Sequence, residues 1–414
     1  MIVYKEVLAA LPEDGIDRNN TITVFLMGVL PAAGGSAISV ILYTCFVWAV
    51  LSLSLGRFEF RLTRSDRMLA WTFTIFVVLI IGTALAGAHV EETPRVLVWL
   101  LGFLSPWVLI PRLRARSNGN YLIPYMTGAA AGAIIACAIA VLQLMIDGLR
   151  PEAGAGNAAV FAMMSLCLMG LGGLNIGGGP ARRPWLGLGA LLGGGLAVLL
   201  SLTRGVALVV PPMLLLVLAY AGVTWRSLFF WRIVLFTFVI AGLVVFGAHH
   251  MLELRLDQTV REFEKILHGD FTSSAGIRLR LWSASMEAIV RSPIWGAGIQ
   301  NRMDVLLPSL RQDSTFIHGF SHAHNGFLSF ALDGGILVLA ALIAVVCAPV
   351  VASLRAPHDE NHRLRLFMAL AVTGAYVLCG MTQIMFKHDV MDSFFIFFAI
   401  VVAASIPENR MECI

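Results

Sequence analysis

Hydrophobic positions gather into long runs along most of the chain, and short polar stretches separate them. The twelve runs cover about residues 22–34, 36–55, 69–87, 95–111, 121–146, 157–176, 185–203, 205–222, 232–249, 326–351, 366–386 and 390–406. Most are close to the roughly 20 residues that a helix needs to cross a bilayer. Lipid offers no hydrogen-bond partners, so each run must pair its backbone groups internally, as a helix does. The pattern predicts an all-α polytopic membrane protein with about 12 transmembrane helices.

Composition supports this class. Of 414 residues, 58% are hydrophobic and 13% are charged, whereas a soluble domain has about 25% charged residues. Cysteine spacing indicates neither a disulfide framework nor a zinc site. The acidic leader before the first run does not resemble a cleaved signal peptide.

Arginines cluster in alternate connections between the runs. These clusters contain Arg57, Arg61, Arg64 and Arg67, then Arg112, Arg114 and Arg116, then Arg182 and Arg183, then Arg226 and Arg232, then Arg355, Arg363 and Arg365. The other short connections hold Arg95 and Arg150, each beside acidic residues. The positive-inside rule therefore predicts that the clusters and both termini are cytoplasmic.

The long connection before the tenth run is predicted to lie outside. It divides the chain into N-terminal membrane helices (1–249), a loop region (250–325), and C-terminal membrane helices with a short tail (326–414). Apolar residues recur every three or four positions at Leu252, Leu256, Val260, Phe263 and Leu267, and again at Leu279, Trp282, Met286 and Ile289. This spacing predicts two amphipathic helices that lie on the membrane surface or cap a cavity.

Two arginines on the predicted outer side are candidates for chemistry. Arg204, in Ser201-Leu-Thr-Arg204-Gly, interrupts a long apolar stretch at an expected helix junction. A charge there is costly unless it is paired or hydrated, and the alternative is a snorkelling side chain. Arg278 shares a helix face with Trp282, whereas Arg280 points about 200° away. A planar guanidinium suits phosphate oxygens, although a solvated basic face is the alternative.

Histidines form the third candidate. His318, His322 and His324 precede the tenth run, in a segment that ends at Gly335. Histidine exchanges protons near neutral pH, although a polar helix cap is the alternative. A His-x-His pair could hold zinc, but no convincing further ligands follow, so we expect one working histidine. Arginines that hold a departing pyrophosphate and a histidine base would suit transfer from a lipid-linked phosphate donor.

These motifs together resemble the O-antigen ligase and polymerase superfamily. Ser-x-x-Arg204-Gly is similar to its first signature, and Arg278 with Trp282 and Pro293-Ile-Trp-Gly-Ala-Gly298 to its second. His322-Ala-His324-Asn325-Gly-Phe-Leu is similar to its third. In the family pattern nine residues follow His-Asn, and Gly-x-x-Gly comes after them. Here Gly335 fits the first glycine, but Val338 replaces the second. We expect that departure to affect helix packing.

The resemblance implies a metal-independent glycosyltransferase of the GT-C type with one large periplasmic loop and no cofactor. It implies His324 as general base and Arg204 and Arg278 as pyrophosphate-binding residues. Candidate substrate-binding residues are Arg280, His322, Asn325, Trp282, His318 and Arg302.

The implied partners are an undecaprenyl-pyrophosphate-linked glycan donor, a lipid A–core oligosaccharide acceptor and membrane lipids, with no nucleic acid. The implied location is the bacterial inner membrane, with the active site facing the periplasm. The single large outer loop favours a ligase; a polymerase and a protein O-oligosaccharyltransferase are alternatives within the superfamily. A lipid-linked oligosaccharide flippase is the alternative outside it, since many glycine-rich helices also suit a transporter.

Overall fold

The computed structural model describes residues 14–86, 93–115, 120–177, 183–223, 260–310 and 322–407. Within these ranges the chain is helical and contains no strand. The helices are α1 (Gly15–Ala33), α2 (Ala37–Ser54), α3 (Arg64–Ala86), α4 (Thr93–Leu101), α5 (Pro106–Arg114), α6 (Leu122–Asp147), α7 (Ala158–Gly173), α8 (Pro184–Leu200), α9 (Arg204–Ala207), α10 (Val210–Tyr220), α11 (Ser274–Arg291), α12 (Leu307–Leu310), α13 (Gly326–Arg355), α14 (His362–Gly380) and α15 (Asp389–Ala404). Residues 260–267 are also helical.

Seven helical stretches in the described ranges are long and apolar enough to cross a membrane. They are Ala37–Ser54, Arg64–Ala86, Thr93–Arg114, Leu122–Ile146, Ala158–Ile176, Gly326–Arg355 and His362–Gly380. The prediction of an all-α, multi-pass membrane protein is thereby confirmed. The helices at the other predicted runs are shorter or less apolar, and the run 232–249 lies outside the described residues. The count of 12 therefore stays a prediction.

Two helices form the interior of the bundle. The apolar stretch that contains α7 is 94% buried, and α15 is buried from Val390 to Ala404. Between α1 and α6 the backbones approach closely: a Cβ on Gly28 would lie 2.5 Å from the Tyr125 carbonyl oxygen. Small residues permit such contact between membrane helices.

Helix α13 is broken near its N-terminal end, and the loop that follows α11 packs against the break. Gly335 has φ 61° and ψ −154°, a conformation that is essentially restricted to glycine. The Ala297 N–H donates to the Leu332 carbonyl at 2.7 Å, and the Ile336 N–H donates to the Pro293 carbonyl at 2.8 Å. These bonds satisfy backbone groups that the break exposes, and they join the loop after α11 to α13.

The position that departs from the family pattern lies beside this break. Val338 is 1% exposed, and its side chain fills the space next to the Cα of Gly334. The valine is therefore part of the packing of α13.

Candidate active site

A cavity of about 650 Å³ brings the three sequence motifs together. Its polar lining consists of Arg150, Glu152, Asn157, Thr203, Arg204, Glu262, Ser274, Arg278, His322, His324, Gln383, Lys387 and His388. These residues come from the connection between α6 and α7, the turn after α8 with the start of α9, the helix 260–267, α11, the segment before α13 and the loop after α14. Arg204, Arg278 and His324, which are more than a hundred residues apart in sequence at the extremes, thus line one space.

A tight turn holds Arg204 at the cavity wall. Leu202 adopts φ 54°, and the Thr203 N–H donates to Ser201 Oγ at 3.2 Å. Arg150, in the connection between α6 and α7, stabilises the turn with two hydrogen bonds. Its Nε donates to the Ser201 carbonyl at 3.0 Å, and its Nη2 donates to Thr203 Oγ1 at 3.1 Å. The serine and threonine of the Ser-x-x-Arg signature therefore shape the turn that orients Arg204.

The glycine that follows Arg204 lies where a side chain would clash. A Cβ on Gly205 would run into the hydroxyl of Thr382, in the loop after α14. The Arg-Gly pair therefore combines a charged group that lines the cavity with a close approach between α9 and the loop after α14.

A buried carboxylate lies among the arginines. Glu262 is 7% exposed, and its Oε2 is 3.3 Å from Nη1 of Arg204. Arg278 lies within the same electrostatic group: burial lowers its pKa most, the positive charge of Arg204 lowers it further, and the negative charge of Glu262 opposes both. One acidic and two basic side chains therefore line the same cavity, and the acid is in contact with one of the two arginines.

Helix α11 presents Arg278 to the cavity and Arg280 to another side. The helix begins after Ser273, whose Oγ accepts from the Gly276 N–H at 3.1 Å. Arg278 is half-buried and lines the cavity. Arg280 is exposed, does not line the cavity, and lies with its guanidinium carbon 4.8 Å from the centroid of the Phe271 ring. The two arginines diverge as helical periodicity predicts.

Two adjacent histidine rings also line the cavity. The ring centroids of His322 and His324 are 4.3 Å apart. Burial, followed by electrostatic interactions with His324, Arg302, Arg278 and Lys387, lowers the pKa of His322 to about 4. Burial and then Arg278 lower the pKa of His324. Both imidazoles are therefore neutral at neutral pH and able to accept a proton.

Asn325 and Trp282, two predicted substrate-binding residues, hold the histidine segment in place. The Asn325 Oδ1 accepts from the Leu328 N–H at 3.1 Å, as the N-cap of α13. The Trp282 Nε1 donates to the Ala323 carbonyl, between the two histidines, at 3.0 Å. Neither residue is in the cavity lining, so both hold the histidine segment from behind the cavity wall. Within that segment His324 has φ 51°, a left-handed backbone conformation.

Arg302 is bound within the protein. It is 4% exposed and forms a two-pronged ion pair with Asp333, in which its Nε lies 2.8 Å from Asp333 Oδ1. Asp333 is fully buried in α13, and Lys387 Nζ lies 4.0 Å from its other oxygen. Arg302 is not in the cavity lining. Its positive charge nevertheless acts on the site, because it helps to lower the pKa of His322. His318 lies outside the described residues.

Sequence reasoning did not single out several lining residues, namely Arg150, Glu152, Glu262, Lys387 and His388. Glu262 lies in a charge-rich amphipathic helix, where no single acid stands out. Lys387 and His388 fall in a connection that the hydrophobic pattern left between two runs. Two basic residues side by side in a predicted outer connection were the feature that could have marked this segment as part of the site. Among the residues that the structure describes, no three His, Cys, Asp or Glu side chains group as metal ligands.

Part of the chain matches the model of a known protein family. The family model described as O-antigen ligase matches residues 187–343, a segment that contains Arg204, Arg278 and His324. The resemblance drawn from the motifs is thereby confirmed. Members of this family are glycosyltransferase-like ligases and polymerases, and the family implies lipid-linked glycan substrates and a membrane environment. No curated protein matches the chain.

Proposed function

We propose that this chain, whose residues 187–343 belong to the O-antigen ligase family, is an O-antigen ligase. It transfers a glycan from undecaprenyl pyrophosphate to lipid A–core oligosaccharide, at the periplasmic face of the bacterial inner membrane. The observation that carries the proposal is the shared cavity of Arg204, Arg278 and His324. A GT-C arrangement of about 12 spans with both termini in the cytoplasm is part of the same proposal.

The cavity has room for a diphosphate group and positive side chains that would bind it. Its volume of about 650 Å³ falls within the usual range of roughly 300–1,000 Å³ for small-molecule sites. Arg204 and Arg278 offer planar guanidinium groups that bind diphosphate oxygens through paired hydrogen bonds. Lys387 adds a further positive charge to the lining.

The reaction requires a base and a stabilised leaving group. A hydroxyl of the acceptor attacks the anomeric carbon of the donor sugar, and the bond from that carbon to the diphosphate oxygen breaks. His324 takes the hydroxyl proton on its neutral imidazole. The electron pair of the broken bond stays on the prenyl diphosphate, and the two arginines stabilise the added negative charge in the transition state. The products are the glycosylated acceptor and prenyl diphosphate, and the proton on His324 then returns to water or to the diphosphate.

The family alone leaves the acceptor open, because ligases and polymerases share it. We favour the ligase because the sequence has a single long outer connection, about 250–325, and few other outer residues. A polymerase would take a second donor molecule as the acceptor.

Reconstitution with competing acceptors tests this choice. The purified chain in liposomes receives undecaprenyl-pyrophosphate-linked glycan, with lipid A–core and a differently labelled second donor as acceptors. The proposal expects glycan on lipid A–core. Glycan transferred only to the second donor would assign a polymerase instead, and transfer to neither would refute glycan transfer between these substrates.

A further inference from the structure

We propose that Glu262 is a positioning residue that promotes release of the prenyl diphosphate product. Its carboxylate opposes the arginines and weakens binding of the outgoing diphosphate more than binding of the incoming donor. The inference rests on the proposed function, since it concerns the same diphosphate.

The contacts of Glu262 carry the inference. Its carboxylate lies 3.3 Å from the guanidinium of Arg204 and lines the same cavity as Arg278. It is buried, whereas Glu264, two positions along the same helix, is exposed. A buried carboxylate beside arginines normally stabilises their geometry. Here the same arginines line a cavity that a diphosphate would enter, so the carboxylate also lies beside the bound phosphates.

The charges of donor and product differ in a way that this carboxylate can sense. The donor diphosphate is esterified at both ends, by lipid and by sugar. Transfer frees one end, and the product carries up to one negative charge more. A fixed negative charge a few ångströms away repels the more highly charged species more strongly. Glu262 therefore weakens product binding more than donor binding.

Such an arrangement is useful because strong uniform binding does not speed a reaction. Two arginines that stabilise the leaving diphosphate in the transition state would also hold the finished product. Release of product often limits turnover in enzymes. A neutralising carboxylate on the cavity wall shifts this balance without removing either arginine.

A purely supporting role makes the opposite prediction. If Glu262 only oriented Arg204, its neutralisation would loosen that arginine and weaken diphosphate binding. If it opposes the bound diphosphate, neutralisation tightens binding, most for the product. The sign of the change, and its dependence on ligand charge, separates the two roles.

The experiment uses two probes on the full chain in detergent or nanodiscs. Farnesyl diphosphate stands for the product, and its terminal methyl ester, which carries less charge, stands for the doubly esterified donor. Dissociation constants are measured by calorimetry for wild type, Glu262→Gln, Glu264→Gln and Arg278→Ala. Glu264→Gln is the matched control on the same helix, and thermal melting checks that each variant folds.

We expect Glu262→Gln to bind farnesyl diphosphate about 10-fold more tightly and its methyl ester by a clearly smaller factor. Product inhibition of transfer strengthens in parallel, and Glu264→Gln behaves as wild type. Unchanged or weaker binding in Glu262→Gln overturns the inference, as does equal tightening for both probes. If wild type binds neither probe, or Arg278→Ala binds both as tightly as wild type, the diphosphate site itself fails.

Discussion

Trp282 donates its indole N–H to the backbone carbonyl of Ala323 at 3.0 Å. The bond joins helix α11, which carries Arg278, to the segment that carries His322 and His324. Two signatures that are separate in sequence are thus fixed to each other by one side chain. The fold itself therefore sets the spacing between Arg278 and the two histidines, before any substrate binds.

Loss of this bond should disturb catalysis more than donor binding. Trp282→Phe keeps an aromatic ring but removes the donor, which costs about 1 kcal/mol for a typical hydrogen bond. We expect kcat to fall about 10-fold as the histidine segment moves, with the KM for donor within about threefold, because small misplacements strongly affect rates. Steady-state kinetics with both substrates checks this. Unchanged kcat at an unchanged melting temperature would argue against the supporting role.

Removal of either cavity arginine should reduce transfer sharply. Arg204→Ala and Arg278→Ala each remove a group proposed to stabilise the leaving diphosphate, and such donors are worth roughly 10²-fold or more in rate. Lysine at either position should retain more activity than alanine but less than arginine, since its ammonium lacks the planar fork of donors. Arg291→Ala, at the exposed end of the same helix as Arg278, is the control. Near-normal rates in both cavity variants would refute the assigned roles.

Acid should reduce the rate only after His324 gains a proton. Burial and then Arg278 lower the pKa of its imidazole in the ligand-free protein, so the acid limb of kcat/KM should lie at a lower pH than an ordinary histidine would give. A bound diphosphate adds negative charge and raises the pKa of the imidazole, so kcat should begin to fall at a higher pH than kcat/KM. An acid limb of kcat/KM at or above neutral pH would contradict this.

The break in α13 should tolerate no side chain at Gly335. A Cβ there would lie 2.5 Å from the Pro293 carbonyl oxygen, and the residue has φ 61°. Gly335→Ala therefore combines backbone strain of roughly 1–3 kcal/mol with a clash against main-chain atoms. Gly148→Ala, at a left-handed helix cap with φ 63°, ψ 8° and open space around it, is the control for an ordinary left-handed position. Thermal melting in detergent should show a clearly larger loss for Gly335→Ala; equal losses would mean that neither its backbone conformation nor the loop contact adds a cost.

Much of the fold could be predicted from hydrophobic runs, because lipid forces an apolar segment into a helix whatever its neighbours are. The break at Gly334 and Gly335 was not predicted, because Asp333-Gly334-Gly335 is too short an interruption to divide the apolar run. It arises from pairing with the Pro293–Gly298 loop, whose glycines were visible in sequence while their partner was not.

The candidate site was predictable where one residue stood out from its surroundings. Arg204 interrupts an apolar stretch, and His324 belongs to a dense cluster, so each was visible. Arg302 also looked like a site residue, yet it pairs with Asp333 inside the protein. Glu262 was missed because a charged residue on an amphipathic helix is ordinary until a partner such as Arg204 is known.

The most direct test of the central claim separates binding from chemistry at His324. His324→Asn removes the base and keeps a residue type that accepts the left-handed backbone found there. We predict that transfer to lipid A–core falls at least about 10²-fold, while farnesyl diphosphate still binds within about threefold of wild type. Full transfer activity in His324→Asn, with binding intact, would contradict the account.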